Sequence, residues 1–167
     1  MKKTRVRTGI HLLQQIGFVL LVASCSMLPA ERRTMASGSM EPTIPAETIV
    51  LIDKSIYQSQ DPQRGDVIIY QASEAAMAAS YTTAPYDAIH RIIGLPGETI
   101  EVRDGKVFVD GEVLSEPYTT EPIGYTWGPE TIPENQYFVL GDNRNSSLDS
   151  HIWGFISRES ILGKVNL

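Results

Sequence analysis

Short β-rich segments separated by turn residues are the feature of this sequence that most limits its fold. Asp104-Gly105 and Asp110-Gly111 separate three such segments, and Asp-Gly between strands is a strong hairpin signal. We find no apolar periodicity of a long amphipathic helix after the N-terminal region. The pattern predicts an all-β domain, either a barrel or a sandwich. The expected strands are 49–52, 67–70, 88–93, 99–102, 107–109, 113–114, 137–140 and 161–165.

Two longer stretches lack this pattern. Segment 72–87 is rich in small residues, and we predict a surface loop or a short helix there. Segment 115–135 is rich in Pro, Gly and Thr, and we predict a long ribbon or loop.

The N-terminal region has a different character. Met1 to Arg7 carries four positive charges and no acid, and Ile16 to Leu28 is almost wholly apolar. The basic flank favours the cytoplasmic side and sends the rest of the chain across a membrane. We therefore predict a membrane anchor or signal segment at 1–30 and a folded domain at 36–167.

The nature of the N-terminal segment stays open among three alternatives. The apolar run is shorter than the roughly 20 residues of a spanning helix, and a basic start with about 7–15 apolar residues also fits a signal peptide. Val22-Ala23-Ser24-Cys25 is similar to the lipobox of bacterial lipoproteins, in which the Cys is lipidated. The alternatives are a retained anchor, a lipoprotein held through Cys25, and a released protein.

The composition excludes several classes of function. A net charge of −6 argues against a general nucleic-acid binder. The single Cys rules out an internal disulfide and a Cys-based zinc cluster, and three scattered histidines do not indicate a metal site. We therefore expect neither a metal nor an organic cofactor.

Ser37-Gly38-Ser39 is the candidate for nucleophilic chemistry. A serine hydroxyl needs an adjacent base to attack, and the oxyanion that forms needs fixed hydrogen-bond donors. Two serines flanking a glycine supply a hydroxyl for each role, but the same tripeptide is common in ordinary loops. The tripeptide alone does not distinguish a catalytic site from an ordinary loop, so other parts of the sequence are needed.

Four motifs occur in order along the chain. They are Ser-Gly-Ser-Met-Glu-Pro-Thr at 37–43, Arg-Gly-Asp-Val at 64–67, Arg-Ile-Ile-Gly-Leu-Pro-Gly-Glu at 91–98, and Gly-Asp-Asn-Arg-Asn-Ser-Ser-Leu-Asp-Ser at 141–150. Together they resemble type I signal peptidase over residues 36–165. The resemblance implies a membrane-bound serine endopeptidase with a β-barrel or sandwich catalytic domain and a β-ribbon extension.

The resemblance also implies roles for individual residues. Ser39 matches the nucleophile, and Ser37 matches the side-chain donor of an oxyanion hole completed by the N–H of Ser39. Ser147 and Asp149 match residues that support the general base. In the bacterial enzymes that base is a lysine, and His90 stands in its position here.

A histidine titrates near ~6.5 without the desolvation that a lysine base needs. We therefore predict a Ser39–His90 mechanism in which Asp149 orients the imidazole. The alternative is an impaired or inactive homologue, because an imidazole is shorter than a lysine side chain. His151 stands where an Arg commonly pairs with the acid matched by Asp149. Two interpretations of His151 stay open: a solvated surface histidine, which is the simpler one, and a competing partner for that carboxylate.

Other motif residues are expected to be structural. We predict that Asp142, Asn143 and Arg144 fix a loop through hydrogen bonds and an ion pair. Trp153 and Phe155 are expected in the core. Asn145 departs from the family pattern, in which an acid is common at that position.

The expected substrates are preproteins with signal peptides, cut after Ala-x-Ala and bound as an extended strand beside the catalytic strands. We expect a monomer without nucleic acid, held at a lipid bilayer on the outer side of a bacterial plasma membrane or on the lumenal side of a thylakoid. The alternative from another class is a membrane-tethered β-domain that binds exported peptides without cutting them.

Overall fold

A computed structural model describes residues 31–167. The predicted membrane or signal segment at 1–30, including Cys25, lies outside the described residues. Within residues 31–167, no helix combines the length and the apolar character needed to cross a membrane.

The larger of two antiparallel sheets holds the candidate site. Its strands are β1 (Glu31–Thr34), β2 (Ile49–Asp53), β3 (Val67–Gln71), β4 (Asp87–Gly94), β9 (Gln136–Leu140), β10 (Ile156–Ser157) and β11 (Ile161–Asn166). They lie in the order β1-β2-β11-β3-β4-β9-β10. The predicted all-β fold is confirmed in its main feature, and the strand positions agree with the β-branched segments of the sequence.

A smaller sheet forms the extension. Its strands are β5 (Thr99–Arg103), β6 (Lys106–Val109), β7 (Glu112–Val113) and β8 (Trp127–Thr131), in the order β7-β6-β5-β8. Asp104, Gly105, Asp110 and Gly111 all have positive φ. Two successive residues with positive φ make the two-residue hairpin loop that the Asp-Gly pairs predict.

Two short helices interrupt the strands. Helix α1 (Glu74–Ala79) lies in the segment predicted as a loop or short helix, and the Ser73 hydroxyl caps it by accepting from Ala76 N at 3.1 Å. Helix α2 (Ser150–Trp153) follows the last motif, where Asp149 is its N-cap residue. Both helices lie near the candidate site.

Three observed strands, β1, β8 and β10, are not among the expected strands, although β8 lies in the segment predicted as a ribbon or loop. Strand β1, Glu31–Thr34, lies between the predicted N-terminal segment and the predicted start of the folded domain, yet it pairs with β2 from Glu31↔Ile52 to Thr34↔Ile49. Three of its four side chains are exposed, so it carries no apolar alternation that would identify a strand. Backbone pairing with a neighbour makes this edge strand, and the sequence alone does not reveal that neighbour.

The buried apolar side chains form three clusters. One underlies the serine motif and includes Met35, Met40 and Ile89, of which Met40 is fully buried. A second lies on the opposite face of β3 and β4 and includes Tyr70 and Ile92. The third joins the smaller sheet to β9 and includes Phe138, with Phe155 packed against it as predicted.

Candidate active site

Ser39 lies in the turn between β1 and β2 and is almost buried, with 8% of its surface exposed. Asn143 fixes the backbone on both sides of it. The Asn143 side chain donates to Gly38 O at 3.1 Å, and the Asn143 backbone N–H donates to Ser39 O at 3.0 Å. The last motif therefore holds the first motif in place.

Ser37 lies beside the Ser39 hydroxyl. Its Oγ is 3.3 Å from Ser39 Oγ and 3.5 Å from the Ser39 backbone N. The Ser37 hydroxyl and the Ser39 N–H are thus adjacent donors beside the Ser39 hydroxyl. This is the arrangement that stabilisation of an oxyanion requires.

His90 is a buried histidine in β4, and 4% of its surface is exposed. Its Nδ1 lies 2.8 Å from Tyr70 Oη, and its Nε2 lies 3.4 Å from Ser147 Oγ. Burial lowers the pKa of His90, against the opposing effect of the charges on Asp149 and Asp142. The imidazole is therefore neutral at neutral pH.

A cavity of about 420 Å³ brings the predicted residues together. Ser37, Ser39 and His90 all line it, although they lie on separate segments of the chain. Within residues 31–167 no hydrogen bond joins Ser39 to His90; the imidazole nitrogens contact Tyr70 and Ser147 instead. Catalytic hydrogen bonds are often long in free enzymes, so the shared cavity is the relevant observation.

Asp149 is fully buried and does not hydrogen-bond to His90, unlike the arrangement we expected. Its Oδ1 lies 2.6 Å from His151 Nδ1, and its Oδ2 accepts from Gly141 N at 3.0 Å. The physical reason is local: as N-cap of α2, Asp149 also accepts from His151 N at 3.2 Å and turns toward its own helix. The competing partner foreseen at His151 is the one found.

The surroundings of Asp149 keep it charged. Burial alone would raise its pKa, but the His151 hydrogen bond, the His90 ring, Ser147 and Gly141 N together lower the pKa of this carboxyl. The negative charge of Asp149 consequently favours the protonated form of His90, although no hydrogen bond joins the two side chains. Tyr125 stacks on His151 with ring centroids 4.0 Å apart, which fixes the other face of that imidazole.

Ser147 contacts the ring directly and is packed tightly against the serine motif. A Cβ placed on Gly141 would overlap both Ser147 Oγ and Ser39 O. Only glycine therefore lets β9 end close enough to hold the two serines near each other.

Two buried ion pairs lie among the segments that carry these residues. Arg91 binds Asp142 through two hydrogen bonds, at 2.8 and 2.6 Å, and Thr43 donates to the same carboxylate. Arg144 binds Glu116 in the same bidentate way, at 2.9 and 2.5 Å. The first pair joins three of the motifs, and the second joins the last motif to the long segment before β8, as a bidentate Arg–carboxylate pair is suited to do.

Asn145 has a structural contact of its own. Its side chain accepts from Gly124 N at 2.7 Å and donates to Pro122 O at 3.0 Å. It therefore ties the last motif to the long segment that precedes β8.

Two aromatic residues at the site were not identified as site residues from the sequence. Tyr70 lies opposite Ala88 in the β3–β4 pairing, diagonal to His90, and its hydroxyl reaches the imidazole. Trp153, expected in the core, lines the cavity with its ring centroid 6.2 Å from that of His90. A tyrosine in an otherwise aliphatic strand was the available signal for Tyr70, but its partner depends on strand register.

Comparison with known proteins places these residues in a family context. A family described as signal peptidase, peptidase S26, matches residues 9–167. Probable signal peptidase I-2 of Synechocystis sp. is 43% identical over 147 residues, covering 87% of this chain and 66% of its own length. Signal peptidase I of Leptolyngbya laminosa is 40% identical over 153 residues, covering 91% of this chain and 75% of its own.

A plant relative is also similar. Probable thylakoidal processing peptidase 2 of Arabidopsis thaliana, a chloroplastic protein, is 38% identical over 135 residues, which are 81% of this chain and 36% of that protein. The resemblance inferred from the four motifs is confirmed by these matches. The chain belongs to the signal peptidase family, peptidase S26.

Proposed function

We propose that this chain is a serine endopeptidase that removes signal peptides from exported preproteins, with Ser39 as nucleophile and His90 as general base. Members of its family are serine endopeptidases. The observation that carries the residue assignment is the common cavity lined by Ser37, Ser39 and His90. His90 is the histidine among its lining residues, and a serine nucleophile needs such a base.

The reaction follows from the positions of these groups. Ser39 Oγ attacks the scissile carbonyl carbon while its proton passes to the imidazole. The oxyanion then accepts from the Ser39 N–H and the Ser37 hydroxyl. Collapse of the tetrahedral intermediate breaks the C–N bond, and the imidazole returns the proton to the leaving amine. Water, deprotonated by the same imidazole, hydrolyses the acyl-enzyme and restores Ser39.

We assign Nε2 as the basic atom, which requires the tautomer that carries its proton on Nδ1. Nδ1 has a short contact with Tyr70 Oη, at 2.8 Å, whereas the contact of Nε2 with Ser147 is long, at 3.4 Å. With its proton on Nδ1, the ring donates to Tyr70 and leaves the Nε2 lone pair available. Nε2 is then the nitrogen that accepts the proton of Ser39.

The substrate binds as an extended strand in the groove between β1 and β4. Ala72 N donates to Tyr86 O at 2.9 Å, and this bond continues the β3–β4 pairing. In that pairing the even-numbered residues of β4 direct their backbone N–H and C=O groups toward β3. Asp87 and Ile89 therefore direct their N–H and C=O groups to the other edge. No strand among residues 31–167 pairs with that edge before Arg91, where β9 begins to pair.

The opposite wall of the groove offers matching groups. Met35 is bonded toward β2, because its N–H donates to Thr48 O and its C=O accepts from Glu47 N, both at 2.8 Å. Thr34 and Ala36, which line the cavity, therefore direct their backbone groups into the groove. A peptide between the two walls adds to the sheet by β-augmentation.

Substrates and location follow from the family and its relatives. We infer that preproteins with signal peptides are cut after Ala-x-Ala at the surface of a lipid bilayer, by a monomer anchored there. The cyanobacterial and thylakoidal relatives support an association with a membrane or thylakoid. We assign the catalytic domain to the periplasmic or lumenal side.

The test uses the full-length protein and a model preprotein. Ser39→Ala and His90→Gln should each lower kcat/KM by at least about 10²-fold, since general-base catalysis contributes about 10²–10⁴-fold. Ser59→Ala, a serine-to-alanine change at an exposed position, is the matched control and should cleave normally. Full activity of Ser39→Ala would refute the assignment. Preprotein binding without cleavage by the wild type would show a peptide-binding protein instead.

A further inference from the structure

The free edge of β4 divides the substrate groove into two sides. Successive side chains of an extended peptide point to opposite faces. Met35 and Ile89 lie on one side, where they belong to the core and are 3% and 8% exposed. Because that side is already filled, it offers only shallow space and suits the small residues at positions −1 and −3.

The other side is the part of the cavity that lies over Ala88, which we call the depression. Ala88 and His90 share one face of β4, and Tyr86, directly before β4, shares it as well because the Ala72 N–Tyr86 O bond continues the strand pairing. All three line the cavity, and Trp153 lines it as well. The methyl side chain of Ala88, between the rings of Tyr86 and His90, leaves room for one substrate side chain.

Tyr86 is held firmly as the far wall of this depression. Its hydroxyl is 2.8 Å from Ser80 Oγ and 3.4 Å from Ala76 O, and its carbonyl accepts from Ala72 N. Helix α1 and Ser80 thus determine where the ring stands. This gives the small-residue segment around α1 a role that the catalytic chemistry does not use.

We propose that the depression over Ala88 is a binding subsite for the residue at position −2, and that Tyr86 sets its size limit. The proposal rests on the proposed function. The −2 side chain must point away from the side that takes −1 and −3. Of the rings beside Ala88 in the sheet, Tyr86 and His90 line the cavity, whereas Tyr70, directly opposite Ala88 on β3, does not. The enzyme therefore reads the middle residue of Ala-x-Ala by its size.

The test measures kcat/KM on peptides with Ala at −1 and −3 and with Ala, Leu or Trp at −2. Tyr86→Ala should raise the Trp-to-Ala ratio by about tenfold or more, because a change in pocket size by a methylene already gives about 10–200-fold discrimination. Ala88→Leu should lower the Leu-to-Ala and Trp-to-Ala ratios by a similar factor. Two changes with opposite effects guard against misfolding of either variant.

Tyr81→Ala is the matched control. Tyr81 lies in the same segment, is 99% exposed and does not line the cavity, so its removal should leave the ratios unchanged. Unchanged ratios in both Tyr86→Ala and Ala88→Leu, with cleavage still dependent on Ser39, would overturn the subsite alone. No cleavage of any peptide by the wild type would instead overturn the proposed function and the subsite with it.

Discussion

At the scale of single residues, we propose that the site consists of a nucleophile, a base and groups that hold the base. His90 is buried between Tyr70 and Ser147, and its charge partner Asp149 is turned toward His151. The imidazole is therefore oriented by two hydroxyls, and the carboxylate contributes its negative charge. This differs from a triad in which the acid hydrogen-bonds to the base.

Tyr70→Phe tests the role of the first hydroxyl. The change leaves a buried imidazole nitrogen without a partner, which costs about 1–3 kcal/mol of stability. We expect kcat to fall by about tenfold with KM nearly unchanged, because the base is misplaced while the groove is intact. Steady-state kinetics on a model preprotein measure both values.

Tyr57→Phe is the control for this prediction. It removes a comparable hydrogen bond, from Tyr57 Oη to Asp66 Oδ2 at 2.8 Å, away from the cavity. It should reduce stability without changing kcat. Equal effects of the two variants on kcat would show that Tyr70 matters only for folding.

The identities of the site residues were accessible from the sequence, but their contacts were not. Ser37, Ser39 and His90 stand in recognisable motifs, and the structure places all three in one cavity. The Tyr70–His90 contact depends on the register of β3 against β4, and the direction of Asp149 depends on its position as a helix cap. Neither is visible in a linear pattern.

At the scale of elements, the end of β9 carries much of the site. The turn after Leu140 brings Gly141 against the serine motif, and the following residues provide Asn143, Ser147 and Asp149. This arrangement depends on close approach of two backbones. The predicted strand at 137–140 agrees with β9, whereas nothing in the sequence indicated how tightly its end is packed.

Gly141→Ala tests this packing. The added methyl would overlap Ser147 Oγ and Ser39 O, and overpacking of this kind costs about 1–3 kcal/mol. We expect a lower melting temperature and a kcat/KM reduced by at least tenfold, because Ser39 and Ser147 must move apart. Thermal unfolding and cleavage kinetics give the two values.

Gly124→Ala serves as the matched glycine control. The nearest atom to its added methyl is the side-chain oxygen of Asn145 at 3.2 Å, which can shift by a few tenths of an ångström. That variant should retain activity. Wild-type melting temperature and activity in Gly141→Ala would contradict the packing described for β9.

At the scale of the whole molecule, one sheet edge and two motif loops meet around a single cavity, and a buried ion pair ties these segments together. Arg91 from β4 binds Asp142 after β9, and Thr43 beyond the serine motif binds the same carboxylate. The order of strands that makes this possible, with β11 between β2 and β3, pairs segments far apart in sequence. Such long-range pairing could not be predicted from turn signals, which specify only neighbouring strands.

The central claim is that His90 acts as the base at Ser39. The pH dependence of kcat/KM for preprotein cleavage tests this claim most directly. Burial lowers the pKa of His90 below its ordinary value of about 6.5, so the imidazole loses its proton as the pH rises through that lower value. We predict that kcat/KM rises with a midpoint below pH ~6.5 and is then level to pH ~9. A wild-type rate that still climbs steeply above pH ~9, or the same profile at full rate in His90→Gln, would contradict the account.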